Sequence, residues 1–131
     1  MFAARTIAGT ALAALLLLPA SAGAQQAFEQ ATVSLEVDVP GVTDVTITGI
    51  PLQPGQTPLD VLQVTQTAYI AEWFPSLGQY FITSIDGNAA SGSSQWALCI
   101  DGELAPVGAG SYVLAPDAEV EFILTSASEP C

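Results

Sequence analysis

Positive charge is almost missing from this 131-residue chain, which holds one Arg, no Lys and no His against 13 Asp and Glu, for a formal net charge of −12. The lone cation is Arg5, so nothing from position 6 onward can form a salt bridge between side chains. Without a basic patch there is no footprint for a phosphate backbone, which excludes nucleic acid as a direct partner. Anionic lipid surfaces are excluded by the same repulsion. Catalysis loses its usual parts too: a Ser or Cys nucleophile has no His or Lys as base, and a developing oxyanion has no cation beside it. A carboxylate pair of the glycosidase kind is the one remaining acid–base device. The acids fall mainly on the polar positions of strands, where they serve solubility, so no catalytic residue is assigned and a non-enzyme is expected.

Cysteine is equally sparse, with Cys99 and Cys131 the only two. No apolar run reaches the roughly 20 residues that a spanning helix needs. The longest, Ile7 to Leu18, comes after Arg5 and precedes Pro19 and the small residues Ala20-Ser21-Ala22-Gly23-Ala24. That is the pattern of a secretory signal peptide over residues 1–24, with Ala22 and Ala24 at the −3 and −1 positions. Cleavage there leaves residues 25–131, enough for a single small domain, with 13 acids and no base. The expected address is periplasmic or secreted, with no membrane insertion after cleavage.

Period-two alternation dominates the chain beyond this leader. Val33, Leu35, Val37 and Val39 alternate with Ser34, Glu36 and Asp38, the pattern of a strand with one wet face. Pro40-Gly41 marks a turn, and the β-branched run Val42 to Ile50 predicts the second arm of a hairpin. Thr57-Pro58-Leu59-Asp60 is a helix start: a capping Thr, Pro at the first helical position and an acid three residues after the cap. The apolar spacing predicts a helix to about Ala71 with Leu59, Leu62, Thr65 and Tyr69 near one face. Glu72 to Gly78 reads as a loop around Pro75, then Gln79 to Ile85 as a strand closed by Asp86-Gly87-Asn88.

The last third organises the chain. Trp96, Leu98 and Ile100 alternate with Ala97, Cys99 and Asp101; Asp101-Gly102 supplies a tight turn. Tyr112 to Leu114 reads as a short strand, and Val120, Phe122 and Leu124 alternate with Glu119, Glu121 and Ile123 in a final one. Ile85-Asp86-Gly87 and Ile100-Asp101-Gly102 repeat the same turn chemistry. One helix among six strands in a chain of this size predicts an α+β layer pair, a mixed sheet packed against one helix.

Three stretches carry a resemblance. GQTPLDVL (55–62) is similar to a Gly-x-Thr-x-Leu-Asp-x-Leu helix entry, and QYFITSIDG (79–87) to a Tyr-x-Ile-x-x-Ile-x-Gly strand. QWALCIDGELAPVGAGSYVL (95–114) is similar to a Trp-x-x-x-Val-Asn-Gly strand with its adjoining Gly-Ala-x-x-Tyr segment. In this order and spacing they resemble the transcobalamin-like domain family of unknown function, whose members are β-grasp domains on secreted and surface proteins. The departures are Asp101 in place of the family's Asn, and Asp117-Ala118-Glu119 in place of its Asp-Gly-Asp. The resemblance implies a β-grasp-like α+β fold. In vertebrate cobalamin carriers the similar domain closes over cobalamin against a separate helical domain, for which no counterpart is expected in these 131 residues. Cobalamin is thus implied as a ligand, with no cofactor expected.

The residues themselves offer one ligand hypothesis. Trp73, Phe74, Tyr80, Trp96 and Tyr112 lie on strands or on the expected post-helix loop, and aromatics with a polar tip suit planar or sugar-like ligands and protein partners alike. The plainer role for such residues is core, and it is the expectation for Phe81 and Phe122. Asp86-Gly87-Asn88 and Asp101-Gly102-Glu103 could each offer oxygens to Ca²⁺, but neither has the spacing of a calcium loop, so both read as turns and no metal site is assigned. Cys99 and Cys131 favour a bridge in an oxidising compartment; a buried free Cys99, or pairing of Cys131 between molecules, are the alternatives. The function expected is non-catalytic binding of a small molecule, a corrinoid or another planar or sugar-like compound. The alternative is a structural or adhesive module of the cell envelope that meets a protein partner through a strand edge or an aromatic patch.

Overall fold

Alternation in the sequence becomes alternation of burial along β1 (Thr32–Val39), whose Val33, Leu35, Val37 and Val39 are all buried. The computed structural model describes residues 31–131; the leader expected at residues 1–24 lies outside the described residues. After β1 come β2 (Thr43–Pro51), α1 (Pro58–Val64), β3 (Tyr69–Phe74), β4 (Gln79–Ile85), β5 (Asn88–Ala89), β6 (Gln95–Ile100), β7 (Glu103–Leu104) and β8 (Glu119–Thr125). The strands form a five-stranded sheet in the order β2-β1-β8-β6-β7 and a three-stranded sheet in the order β3-β4-β5. β1 and β8 run parallel, and every other pair is antiparallel. With one short helix among the described residues, this is a small α+β fold.

Register explains the core. Val37 lies opposite Phe122, which lies opposite Leu98; Leu35 lies opposite Val120, which lies opposite Ile100. These rows therefore share one face of the sheet, and Phe122 and Leu35 are each only 1% exposed. The two Asp-Gly turns are alike in detail. Asp86 and Asp101 have φ of 50° and 52°, and the glycines after them 81° and 82°. Positive φ at both central residues is the two-residue hairpin geometry that matches the strand twist, and Gly adopts it without steric cost. They close β4 onto β5 and β6 onto β7.

The helix starts as expected and stops early. Thr57 Oγ1 accepts from the Asp60 amide while the Asp60 carboxylate accepts from the Thr57 amide at 2.9 Å, a complete capping box. The helix ends at Val64, not near Ala71. The Thr65 hydroxyl donates back to the Val61 carbonyl at 2.8 Å, and Gln66 turns to φ 59°. Tyr69 to Phe74 then pairs with Gln79 to Ile85, so Glu72, Trp73 and Phe74 belong to a strand and not to the loop expected of them. A ladder of cross-strand hydrogen bonds outcompetes another helical turn that would begin with two β-branched Thr residues.

Tyr112 to Leu114 is not a strand either. The Leu114 amide donates to the Gln56 carbonyl at 2.9 Å and the Ser111 amide to Gly108, so this backbone is spent on turns and on the helix entry. The short strand beside β6 is β7 instead. The long connection from Ala105 to Ala118 is held at several points: Ala105 to Leu98, Leu59 to Ala109, and Asp117 to Thr32. A loop of this length without strands or helices needs such anchors.

Cys99 and Cys131 form a disulfide with Cα atoms 6.0 Å apart. Cys99 sits on the sheet face away from Phe122, opposite Glu121, yet is fully buried. The bridge ties the chain beyond β8 to that face.

Where β2, β1 and β8 adjoin, the outer face is rich in acids. Glu36 lies opposite Glu121 on β8 and Thr46 on β2, and Asp38 lies opposite Asp44. A side-chain hydrogen bond with Asp44, then desolvation and the charges of Asp44, Glu121 and Asp38, lift the Glu36 carboxyl from 4.5 to about 7. Desolvation, with Asp38 and Asp44, also raises Glu121. The folded chain thus holds these protons more tightly than the unfolded chain does. Stability is expected to rise as pH falls through about 7 and to stop gaining from Glu36 below about 4.5. Calorimetric melting between pH 8 and pH 5 checks this: Tm should climb on acidification and climb less in Glu36→Gln. A level or falling Tm contradicts it.

Candidate ligand cleft between the two sheets

β4 and β6 bring their side chains together where the two sheets meet, and two adjoining hollows open there, sharing Phe81, Ile82, Gln95 and Trp96. The inner one, about 240 Å³, is floored by Leu98 and Phe122 and walled by the loop through Val107 and Gly108. The outer one, about 290 Å³, extends under Phe74, Leu77, Thr83 and Ala90. Neither is lined by a carboxylate. In a chain with 13 acids this is a neutral, mainly apolar cleft, suited to dispersion and stacking contacts.

Its parts are fixed in place. The Trp96 indole donates Nε1–H to the Asn88 carbonyl at 2.9 Å, which sets the ring against the turn that leaves β4. Phe74 and Phe81 meet edge to face with centroids 5.3 Å apart, as diagonal neighbours on one face of the β3–β4 hairpin. Gly108 donates its amide to the Gln79 side chain. A Cβ at Gly108 would lie 2.5 Å from the Tyr80 carbonyl oxygen, so only glycine lets the loop lie this close to β4. Exposed Gln95 and the Thr83 hydroxyl supply polar atoms at the rim.

The aromatic residues singled out in the sequence are divided by the fold. Trp96 is at the centre of the cleft and Phe74 at its outer rim. Trp73 and Tyr80 lie directly opposite each other with ring centroids 5.0 Å apart, on the other face of the hairpin from Phe74 and Phe81. They are 52% and 47% exposed and line neither hollow. Tyr112 is half-buried in the long loop and also stands outside the cleft. Phe81, expected in the core, is a wall, and Phe122 is both core and floor. Leu77, Gln95 and Val107 gave no signal in the sequence beyond ordinary apolar or polar positions.

The acids do not form a second site of this kind. A hollow of about 280 Å³ on the outer face is lined by Glu36, Asp101, Glu119 and Glu121 among others. Among the described residues no three Asp, Glu or Cys side chains converge as a metal-binding group would require. No helix among them is long and apolar enough to cross a membrane.

Fold and cleft together define a small α+β domain with an aromatic, uncharged groove between two sheets. The chain belongs to the DUF4430 family, a domain of unknown function, whose family model matches residues 55–126. Its fold is similar to part of haptocorrin: haptocorrin in complex with Cbi superposes with a TM-score of 0.61 at 23% identity, over 73% of this chain and 25% of the haptocorrin chain. A candidate metal-binding protein from Ruminococcus gnavus superposes with a TM-score of 0.62 at 17% identity, over 74% of this chain and 98% of that one. The chain thus spans a quarter of the length of haptocorrin. At these identities the likeness is one of fold. No curated protein sequence matches.

Proposed function

We propose that this chain is an exported, non-catalytic ligand-binding domain of β-grasp type, spanning residues 25–131 after a signal peptide, and that its ligand is a corrinoid or another planar or sugar-like compound. The observation that carries this is the cleft around Trp96: apolar, free of carboxylates and held in shape by the indole's bond to Asn88. The fold shared with haptocorrin, crystallised with Cbi, supports it. At about 240 and 290 Å³ each hollow lies below the roughly 300–1,000 Å³ of pockets that engulf a drug-sized ligand. A large planar ligand therefore rests one edge or face in the groove while a second protein or domain covers the rest.

Titration of the protein with cobalamin and with cobinamide, monitored by calorimetry and the corrinoid's visible spectrum, tests it. Saturable binding is expected. Trp96→Ala should weaken it about tenfold or more, as the loss of a central aromatic anchor does, whereas Trp73→Ala, outside the cleft, should leave it nearly unchanged. No heat and no spectral change removes the corrinoid, and equal losses from both variants remove the cleft.

A further inference from the structure

β2 ends the five-stranded sheet, paired with β1 along one side and with no described strand along the other. At nine residues it is the longest strand described, and all but Ile47 and Ile50 are exposed. A long open edge is a template for pairing with another chain, and proteins that must stay alone blunt it with Lys, Pro or a bulge. Here the register shift (between Val33 and Leu35 of β1), Gly49 at φ 67° and Pro51 all fall at the far end. From Thr43 to Ile47 the strand is regular, each residue opposite one of Val39 to Leu35, and carries no Lys or Pro.

The two faces of this edge differ in chemistry. Asp44 and Thr46 point to the outer face, beside Asp38 and Glu36 of β1 and, one strand further in, Glu121. Val45 and Ile47 point to the core face beside Val37 and Leu35, but the sheet ends there and Val45 remains 45% exposed. Residues on a newly added strand would alternate in the same way.

The geometry points to β2 as a docking edge for an extended segment of another protein in which basic residues alternate with apolar ones. Main-chain hydrogen bonds to the open side of β2 supply the pairing. The basic side chains meet Asp44 and, beyond it, Glu36, and the apolar ones cover Val45 and Ile47. Charge decides the source of the segment. A second copy of this chain would bring more carboxylates and only Arg5 to meet them, whereas a basic segment finds no competing cation anywhere from residue 6 on. The Glu36 carboxyl is raised first by its hydrogen bond with Asp44 and by desolvation, and then by the charges of Asp44, Glu121 and Asp38, which face it from β2, β8 and β1.

A synthetic peptide of alternating Lys and Val, titrated into the protein at low salt, tests this, with hydrogen exchange measured at each amide. Binding should weaken as salt rises, slow exchange at amides within Thr43–Ile47, and fall about tenfold or more in Asp44→Lys, an exposed substitution that also relieves repulsion in the fold. A peptide of alternating Lys and Ser should bind more weakly, because nothing then covers Val45. Absence of binding overturns the proposal. So does binding that leaves β2 exchange unchanged and is indifferent to Asp44→Lys, which would be diffuse attraction to an acidic surface.

Discussion

Cys131→Ser is expected to lower the stability of the folded domain by roughly 3–4 kcal/mol and its Tm by more than ~10 °C. The size comes from the loop the bridge closes: Cys99 and Cys131 are 32 positions apart, and cross-linking them restricts the unfolded chain accordingly. It is a large fraction of what a single small domain has, since total stabilities are about 5–15 kcal/mol. Cys131 is the better of the two to change because it is exposed, whereas Cys99→Ser would also put a hydroxyl where no solvent reaches. The double variant should lose little more than Cys131→Ser does, apart from that buried hydroxyl, because the bond can be lost only once. Reduction of the unaltered protein should reproduce the loss. Equal melting temperatures with and without reductant would show that the bridge does not hold the end of the chain on the sheet.

Phe122→Ala should cost about 3–5 kcal/mol, the range for removing a buried aromatic ring and leaving a cavity. Phe122 is 1% exposed, on a strand that is hydrogen-bonded on both sides, between Val37 of β1 and Leu98 of β6. None of these strands can close in without breaking register, so little of the cavity collapses. Urea unfolding checks this: the midpoint should fall while the slope stays the same. Leu104→Ala on β7, 59% exposed, is the comparison and should change stability by less than about 0.5 kcal/mol. Because Phe122 also floors the inner hollow, the variant should enlarge the cleft as it weakens the core. A loss under ~1 kcal/mol would mean that the inner face is not packed around this ring.

The strands β1, β2, β6 and β8, the capping box at Thr57 and the two Asp-Gly turns were legible in the sequence because each rests on short-range physics. Alternation reports which side of a strand meets water, and caps and turns are settled within four residues by side-chain hydrogen bonds and allowed φ. The net charge needed only counting. The end of the helix was not legible. Thr65 to Ala71 has an apolar spacing that a helix could use, and its actual course depends on pairing of Tyr69–Phe74 with a strand that comes later. Tyr112 to Leu114 failed in the opposite direction: a strand-like run whose backbone partner is Gln56, far back in the chain.

The cleft belongs wholly to the tertiary level. Trp96 and Phe74 stood out as aromatics, but so did Trp73, Tyr80 and Tyr112. Only the faces of the hairpin and the meeting of β4 with β6 separate those that line the groove from those that do not. The acidic cluster around Glu36 arises in the same way, from a parallel pairing of the first strand with the last that brings Glu121 beside residues more than eighty positions earlier. Local pattern determined what the pieces are; long-range register decided which side chains share a surface, because that choice is made by the summed burial of the whole sheet and by no single segment of it.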